Sequence, residues 1–289
     1  MNFVTSGSIA ARLAAGSVRP SAEDLAPLSP TERTAVRIAE FVHRNPLLGA
    51  LSHAWLWHVN RRLVAWASRR VTHVRGAEAL ADLDPGRGVL ICSNHRSFFD
   101  QFVIMTYYSE ALGRLPPLYF PVRNDFFYES ALGVVINAAA AAFHMYPPVF
   151  REASKRGFNL YTQARLVELL TRPGFAVGVH PEGKRGKGPD PYTLLPAQVG
   201  VGQLILEARP TVLPVFINGL SNDFFRQIAG NFTRRASPIV ILFGAPIELR
   251  LDGLPNRVRT HKDLADRVMD AIRQLGRTER EIRAGLSNA

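Results

Sequence analysis

One cysteine, Cys92, is all that 289 residues contain, so an intramolecular disulfide is impossible and a cysteine-built metal site is excluded. The eight histidines show no H-E-x-x-H or comparable spacing, and no metal is expected. A G-x-S-x-G nucleophile turn is also missing, which argues against a covalent serine mechanism. No stretch reaches the roughly 18 uninterrupted apolar residues of a membrane-spanning helix. The best, residues 131–145, is interrupted by Asn137 and His144. The amino terminus has Arg12 as its first charge and no long apolar core, a poor signal peptide. There is no internal repeat and no low-complexity tract. Together these absences predict a protein of the reducing cytoplasm, at most lying on the cytoplasmic face of a membrane as a peripheral protein.

What is present is apolar and basic. A hydrophobic content of 47% supports a packed core and excludes a disordered chain, and the length allows one large domain or one with an appendage. The net charge of +11, carried mostly by arginine, predicts an anionic partner: nucleic acid, a membrane surface or a phosphorylated substrate. Against nucleic acid, there is no basic stripe interleaved with aromatics and no reader motif.

The most informative stretch runs from Gly86 to Asp100. Its short apolar run, Val89 to Cys92, reads as a buried strand, with Cys92 as an apolar filler. Ser97 followed by Asp100 reads as a helix start. His95 then sits in a strand-to-helix corner, where Asp100 can accept a hydrogen bond from one imidazole nitrogen and leave the other basic. Asp100 can equally be a plain first-turn acid favoured by the helix dipole.

In chain order, residues 1–28 are rich in Ser, Ala and Pro and read as a flexible arm. Ser29-Pro30-Thr31-Glu32 is a strong helix start, and residues 29–70 read as an amphipathic helical pair broken at Asn45-Pro46. Its second helix combines Leu48, Leu51, Trp55, Leu56, Val59, Leu63 and Trp66 with Arg61, Arg62, Arg69 and Arg70. That suits a lipid interface, and it equally suits a helix packed on the protein's own core. From Val71 onward strands alternate with helices: strands near 71–76, 89–92, 116–122, 145–150, 175–179, 211–217 and 239–243, and a last helix from about His261 to Leu275 ahead of a basic tail. This predicts an α/β fold with a mostly parallel central sheet flanked by helices, over residues 71–289.

Loops at the carboxyl ends of such strands build sites. Besides Asn94-His95…Asp100, the run His180-Pro-Glu-Gly-Lys-Arg-Gly-Lys187 follows an apolar strand with two glycines and three cations, a phosphate cradle or a solvated basic loop. Glu182, flanked by bases, is expected in an ion pair. Arg123 and Arg151 follow further strands, where lone arginines are functional or merely superficial.

Taken in order, these stretches resemble the glycerolipid acyltransferase superfamily typified by lysophosphatidic acid acyltransferases. Asn94-His95-Arg-Ser-Phe-Phe-Asp100 resembles its N-H-x4-D motif, Pro148-Val-Phe-Arg151 loosely its second, His180-Pro-Glu-Gly-Lys-Arg185 its F-P-E-G-T-R and Val212-Leu-Pro-Val-Phe216 its fourth. His180 stands where the family has phenylalanine and Lys184 where it has threonine. The second motif lacks its usual glycine, and Arg123 falls where the family often has lysine. The resemblance implies His95 as general base, Asp100 as its orienter, and Arg123, Arg151, Glu182, Gly183, Lys184 and Arg185 as substrate-binding residues. Backbone N–H groups around Gly183 would face the oxyanion. It also implies acyl-CoA or acyl carrier protein as co-substrate, a lysophospholipid acceptor, 1-acylglycerol 3-phosphate first, an anionic membrane surface as partner, and no cofactor. The alternatives are another acceptor (glycerol 3-phosphate, an amine-headed lipid or a glycolipid) and a non-catalytic anionic-lipid-binding protein.

Overall fold

The computed structural model describes residues 6–16 and 18–287. The chain opens with α1 (Ser6–Ala14), α2 (Ala22–Leu25), α3 (Pro30–Arg44), α4 (Pro46–Trp55), a π-helical turn (Leu56–Asn60) and α5 (Arg61–Ser68). The α/β body follows as β1 (Thr72–Arg75), β2 (Val89–Ser93), α6 (Asp100–Ala111), β3 (Leu118–Tyr119), β4 (Val122–Arg123), α7 (Asn124–Phe127), α8 (Ala131–Ala141), β5 (Pro148–Val149), α9 (Phe158–Leu170), β6 (Ala176–Val179), α10 (Val199–Ala208), β7 (Thr211–Asn218), α11 (Phe224–Thr233), β8 (Ile239–Phe243) and α12 (Val258–Ser287).

Six strands form one sheet in the order β1-β8-β7-β2-β6-β3, parallel throughout except where β7 meets β8. β4 and β5 make a separate parallel pair. The central strands are buried on both faces and are near-continuous apolar runs, as a parallel sheet requires. Alternate residues serve opposite layers. Leu90, Cys92, Val177, Val212 and Phe216 pack with α9, α10 and α12. Val89, Ile91, Leu213, Val215 and Ile217 face the layer that contains α6. Pro214 is tolerated in a central strand because β8 ends opposite Val215, so its missing N–H falls beyond the ladder.

The amino-terminal residues correct the expected flexible arm. Residues 1–5 lie outside the described ones, but Ile9, Leu25 and Leu28 are buried in the main core, and Arg12 pairs with Asp24 at 2.7 Å. Ser21 and Asp24 close a capping box that starts α2. At the other end the basic tail is helix as well: α12 runs on to Ser287.

The expected capping box at Ser29 is formed, with Glu32 accepting from the Ser29 amide at 2.8 Å. The helices after it dock on the body through polar contacts. Ser52 Oγ donates to Ala142 O (2.8 Å), and Trp55 Nε1 donates to Ala139 O (2.9 Å). Two of the four arginines of this region are spoken for: Arg61 and Arg69 both bind Glu110, at 2.8 and 2.6 Å. No helix among the described residues is long and apolar enough to cross a membrane.

Candidate active site

The carboxyl ends of β2, β6 and β7 lie side by side, and the loops leaving them build the site. Asn94 fixes the first loop: its side-chain amide donates to Ile217 O and accepts from Ile217 N, both at 2.8 Å, so the end of β2 is stitched to β7. The next residue is His95. Its Nδ1 lies 3.0 Å from Asp100 Oδ2, and that same oxygen accepts from the amides of Arg96 (2.7 Å) and Ser97 (2.8 Å). Asp100 is thus both the orienter of His95 and the acceptor that closes the corner, the two readings that residue type alone left open. Ser97 accepts from the Phe99 amide and is not the cap of α6.

With Nδ1–H donating to the carboxylate, Nε2 of His95 carries the lone pair, and no protein partner claims it among the described residues. The ring is partly open to solvent, whereas Asp100 is 1% exposed. Burial holds the imidazole down, to about 3, with Arg185 adding to the effect. Burial pushes the Asp100 carboxyl up, to about 6, against the lowering by His180 and by the amides of Ser97 and Arg96. At neutral pH the pair is therefore a carboxylate beside a neutral imidazole, the form a general base needs.

Three further side chains shape the pair. His180 stacks face to face on His95, ring centroids 3.8 Å apart and 5° from parallel, and its Nδ1 is held by Ser93. His95, Asp100 and His180 offer ligand-type atoms within 4.8 Å of one another, but His95 and Asp100 are committed to each other and His180 Nδ1 to Ser93. Glu182 is 1% exposed and sits in no ion pair among the described residues, contrary to the expectation from its basic neighbours. Its two oxygens accept from the backbone amides of His95 (2.8 Å) and Leu195 (2.7 Å). Burial raises its carboxyl above the ordinary range despite those amides. Gly183 stands at φ +66°, and its amide closes a turn onto His180 O at 2.9 Å. That N–H is already used, so it does not face an oxyanion.

The cations divide into two groups. Arg151 donates to Gly183 O at 2.9 Å; burial, and then the nearby Arg123, lower its pKa against the opposing charge of Asp125, which is hydrogen-bonded to Arg123. Lys184 is exposed next to Gly183. Arg185 points the other way: its guanidinium covers the Phe98 ring at 3.4 Å and donates to Asn222 Oδ1 at 3.1 Å. It lines a cavity that Arg96, Lys187, Arg226 and Arg235 share. Sequence reading passed over Arg226 and Arg235, because α11 was not foreseen; its signal was Asp223, whose carboxylate accepts from the Arg226 amide as an N-cap.

Cys92 lies buried in β2, where burial raises its thiol far out of the reactive range. A neutral imidazole fixed by a buried carboxylate at the carboxyl ends of the central strands, with basic loops around it, is chemically suited to taking a proton from a substrate group. The family agrees: residues 71–218, just over half of the chain, match the family described as Acyltransferase, and the chain belongs to it. No curated protein matches the chain. Among solved structures, the 1-acyl-sn-glycerophosphate (LPA) acyltransferase PlsC from Thermotoga maritima is similar, with a TM-score of 0.49 and 15% identity over 84% of this chain and 87% of that one.

The role of Glu182 yields a first expected result. Glu182→Gln keeps one acceptor but turns an NH2 toward a backbone N–H, a buried mismatch of about 1–3 kcal/mol. Because one of the two bonds by which Glu182 ties the His95 loop to Leu195 is lost, kcat should fall about ten- to hundredfold with KM nearly unchanged. A raised KM at constant kcat would instead make Glu182 a substrate-binding group.

Proposed function

We propose that the protein moves a fatty acyl chain from an acyl thioester, on coenzyme A or acyl carrier protein, to the hydroxyl of a glycerolipid acceptor, first of all 1-acylglycerol 3-phosphate. The observation that carries this is the free Nε2 of His95, fixed by Asp100 between two groups of cations. His95 Nε2 takes the proton of the acceptor hydroxyl as its oxygen attacks the thioester carbonyl. The C–S bond then breaks, and the imidazolium returns the proton to the departing thiolate. Asp100 stabilises the imidazolium while it exists. Arg123, Arg151 and Lys184, around the Gly183 turn, hold the acceptor phosphate.

The acceptor's location accounts for an exposed apolar stripe. Leu47, Leu51, Trp55, Val59, Leu63 and Trp66 follow one another along α4, the π-helical turn and α5, all more than a third exposed, and Leu132 and Val135 of neighbouring α8 extend the surface. In this reading the stripe seats the enzyme peripherally on an anionic leaflet, with Arg62 and Arg70 at its edge. Leu51→Glu with Leu63→Glu removes two insertions worth about 1.5–3 kcal/mol each. Cosedimentation with phosphatidylglycerol vesicles should fall at least about tenfold while the melting temperature holds. Unchanged sedimentation would assign the stripe another role.

The activity itself is tested with lysophosphatidic acid and either donor, reading products by mass spectrometry. A gain of one acyl chain supports the reading. Transfer only to glycerol 3-phosphate, an amine-headed lipid or a glycolipid would move the acceptor assignment, and binding of anionic lipid without transfer to any of these would replace it.

A further inference from the structure

Between the loop after β6 and α11 lies a cavity of about 940 Å³. Asp100 of the catalytic corner lines it, and is the sole acid among the described lining residues. Five cations line it with that one carboxylate: Arg96, Arg185, Lys187, Arg226 and Arg235. The side chains of Lys187, Arg226 and Arg235 enter no ion pair among the described residues, unlike Arg61 and Arg69, which Glu110 holds. Arg226 and Arg235 also lie beyond residue 218, outside the span that the family shares.

Two buried donors point to a missing acceptor. Gln227, a lining residue that is 7% exposed, accepts from the Ser221 amide through Oε1 at 2.9 Å, while its Nε2 is buried without a partner among the described residues. Arg96 Nη1 is likewise buried and unpartnered. A buried N–H left unpaired costs free energy, so a site built this way fits oxygens supplied by a ligand. The size is at the top of the range for small-molecule pockets, about 300–1,000 Å³. One phosphomonoester, all that the acceptor brings, does not call for five cations, and a fatty chain would not enter a lining so charged. An acyl carrier protein would need a docking surface for a folded domain, with only a single phosphate in its prosthetic arm.

We infer that this cavity takes the nucleotide end of coenzyme A, the adenosine with its diphosphate and 3′-phosphate, and so selects acyl-CoA as donor. Arg226 and Arg235 meet phosphate groups as planar, multiply donating cations. Gln227 Nε2 donates to a phosphate oxygen, and the pantetheine arm runs past Arg96 toward His95. The inference rests on the acyl-transfer reading for the thioester, and the nucleotide site can be tested apart from it.

Calorimetry with adenosine 3′,5′-bisphosphate and with coenzyme A, on the full chain, needs no turnover. Both ligands should bind. Arg226→Ala combined with Arg235→Ala should weaken each about ten- to hundredfold, as loss of charge-assisted hydrogen bonds does. The single substitutions should fall between, and Arg209→Ala, at the opposite end of β7, serves as the charge control. All are exposed positions, and circular dichroism checks the fold. Absence of binding in the wild type, or equal binding by the double variant, overturns the inference. So does weakened binding to phosphatidic acid vesicles with nucleotide binding intact, which makes the cavity a headgroup site. In the transfer assay the double variant should raise KM for acyl-CoA. Transfer from acyl carrier protein alone overturns the choice of donor. Transfer from neither donor, with nucleotide binding retained and sensitive to the arginines, removes the acyl-transfer reading and leaves the nucleotide site standing.

Discussion

His95→Ala should lower kcat for acyl transfer about 10²–10⁴-fold, the range a positioned general base contributes. The fold should barely notice. The imidazole is partly exposed at the site mouth, and its one hydrogen bond among the described residues is to Asp100, which keeps the amides of Arg96 and Ser97 when the ring is gone. Asn94 still ties the corner to Ile217, and Glu182 still accepts from the residue 95 amide, since that bond involves backbone only. Initial rates and a thermal melt, run on the same preparations, therefore separate chemistry from stability. Added imidazole, which can enter the vacated half-open space, should restore part of the rate. Full activity in the variant would remove His95 as base.

The corner that holds His95 and Asp100 was legible because its information is local. Val89–Cys92 reads as a strand, and four residues between His95 and Asp100 span one tight turn. What fixes the corner in place was not legible. Glu182 clamping the His95 amide and Asn94 pairing with Ile217 join segments far apart in the chain, and no spacing reports them. The same holds for the division of cations: Arg185 and Lys184 are neighbours in sequence, yet the left-handed turn at Gly183 and the stack on Phe98 turn Arg185 into the cavity.

The α/β alternation of the body was legible from apolar runs, whereas residues 6–28 were not, since composition suggested an arm. Ser21 and Asp24 did carry a cap signal. Burial of Ile9, Leu25 and Leu28 depends on a groove that only the folded body supplies. α12 outlasts its sequence signal for a related reason. Its last turns are arginine-rich, and Arg283 and Glu279 sustain them with an ion pair four residues apart.

Asp100→Asn should cost about 10²–10³ in kcat by a mechanism that its geometry specifies. Three donors converge on the single oxygen Oδ2: His95 Nδ1–H and the amides of Arg96 and Ser97. An asparagine NH2 placed there would meet two backbone N–H groups, so the amide must set its oxygen in that position. His95 then keeps its tautomer, and the corner keeps its hydrogen bonds. What is lost is the negative charge beside the imidazolium, worth about 4 kcal/mol at an effective dielectric near 20. The pH profile makes the distinction. In the wild type, the competent form is carboxylate with neutral imidazole, and burial lifts the Asp100 carboxyl to about 6. As pH falls through that value the pair gains a proton and kcat/KM drops; above it the rate is level. In Asp100→Asn that group no longer titrates, and burial keeps His95 down near 3, so the acid limb should leave the region of pH 6 and the residual rate should stay flat well below it. The same limb in both proteins would assign the titration to another group, and a wild-type kcat in the variant would leave Asp100 with its backbone-capping role alone.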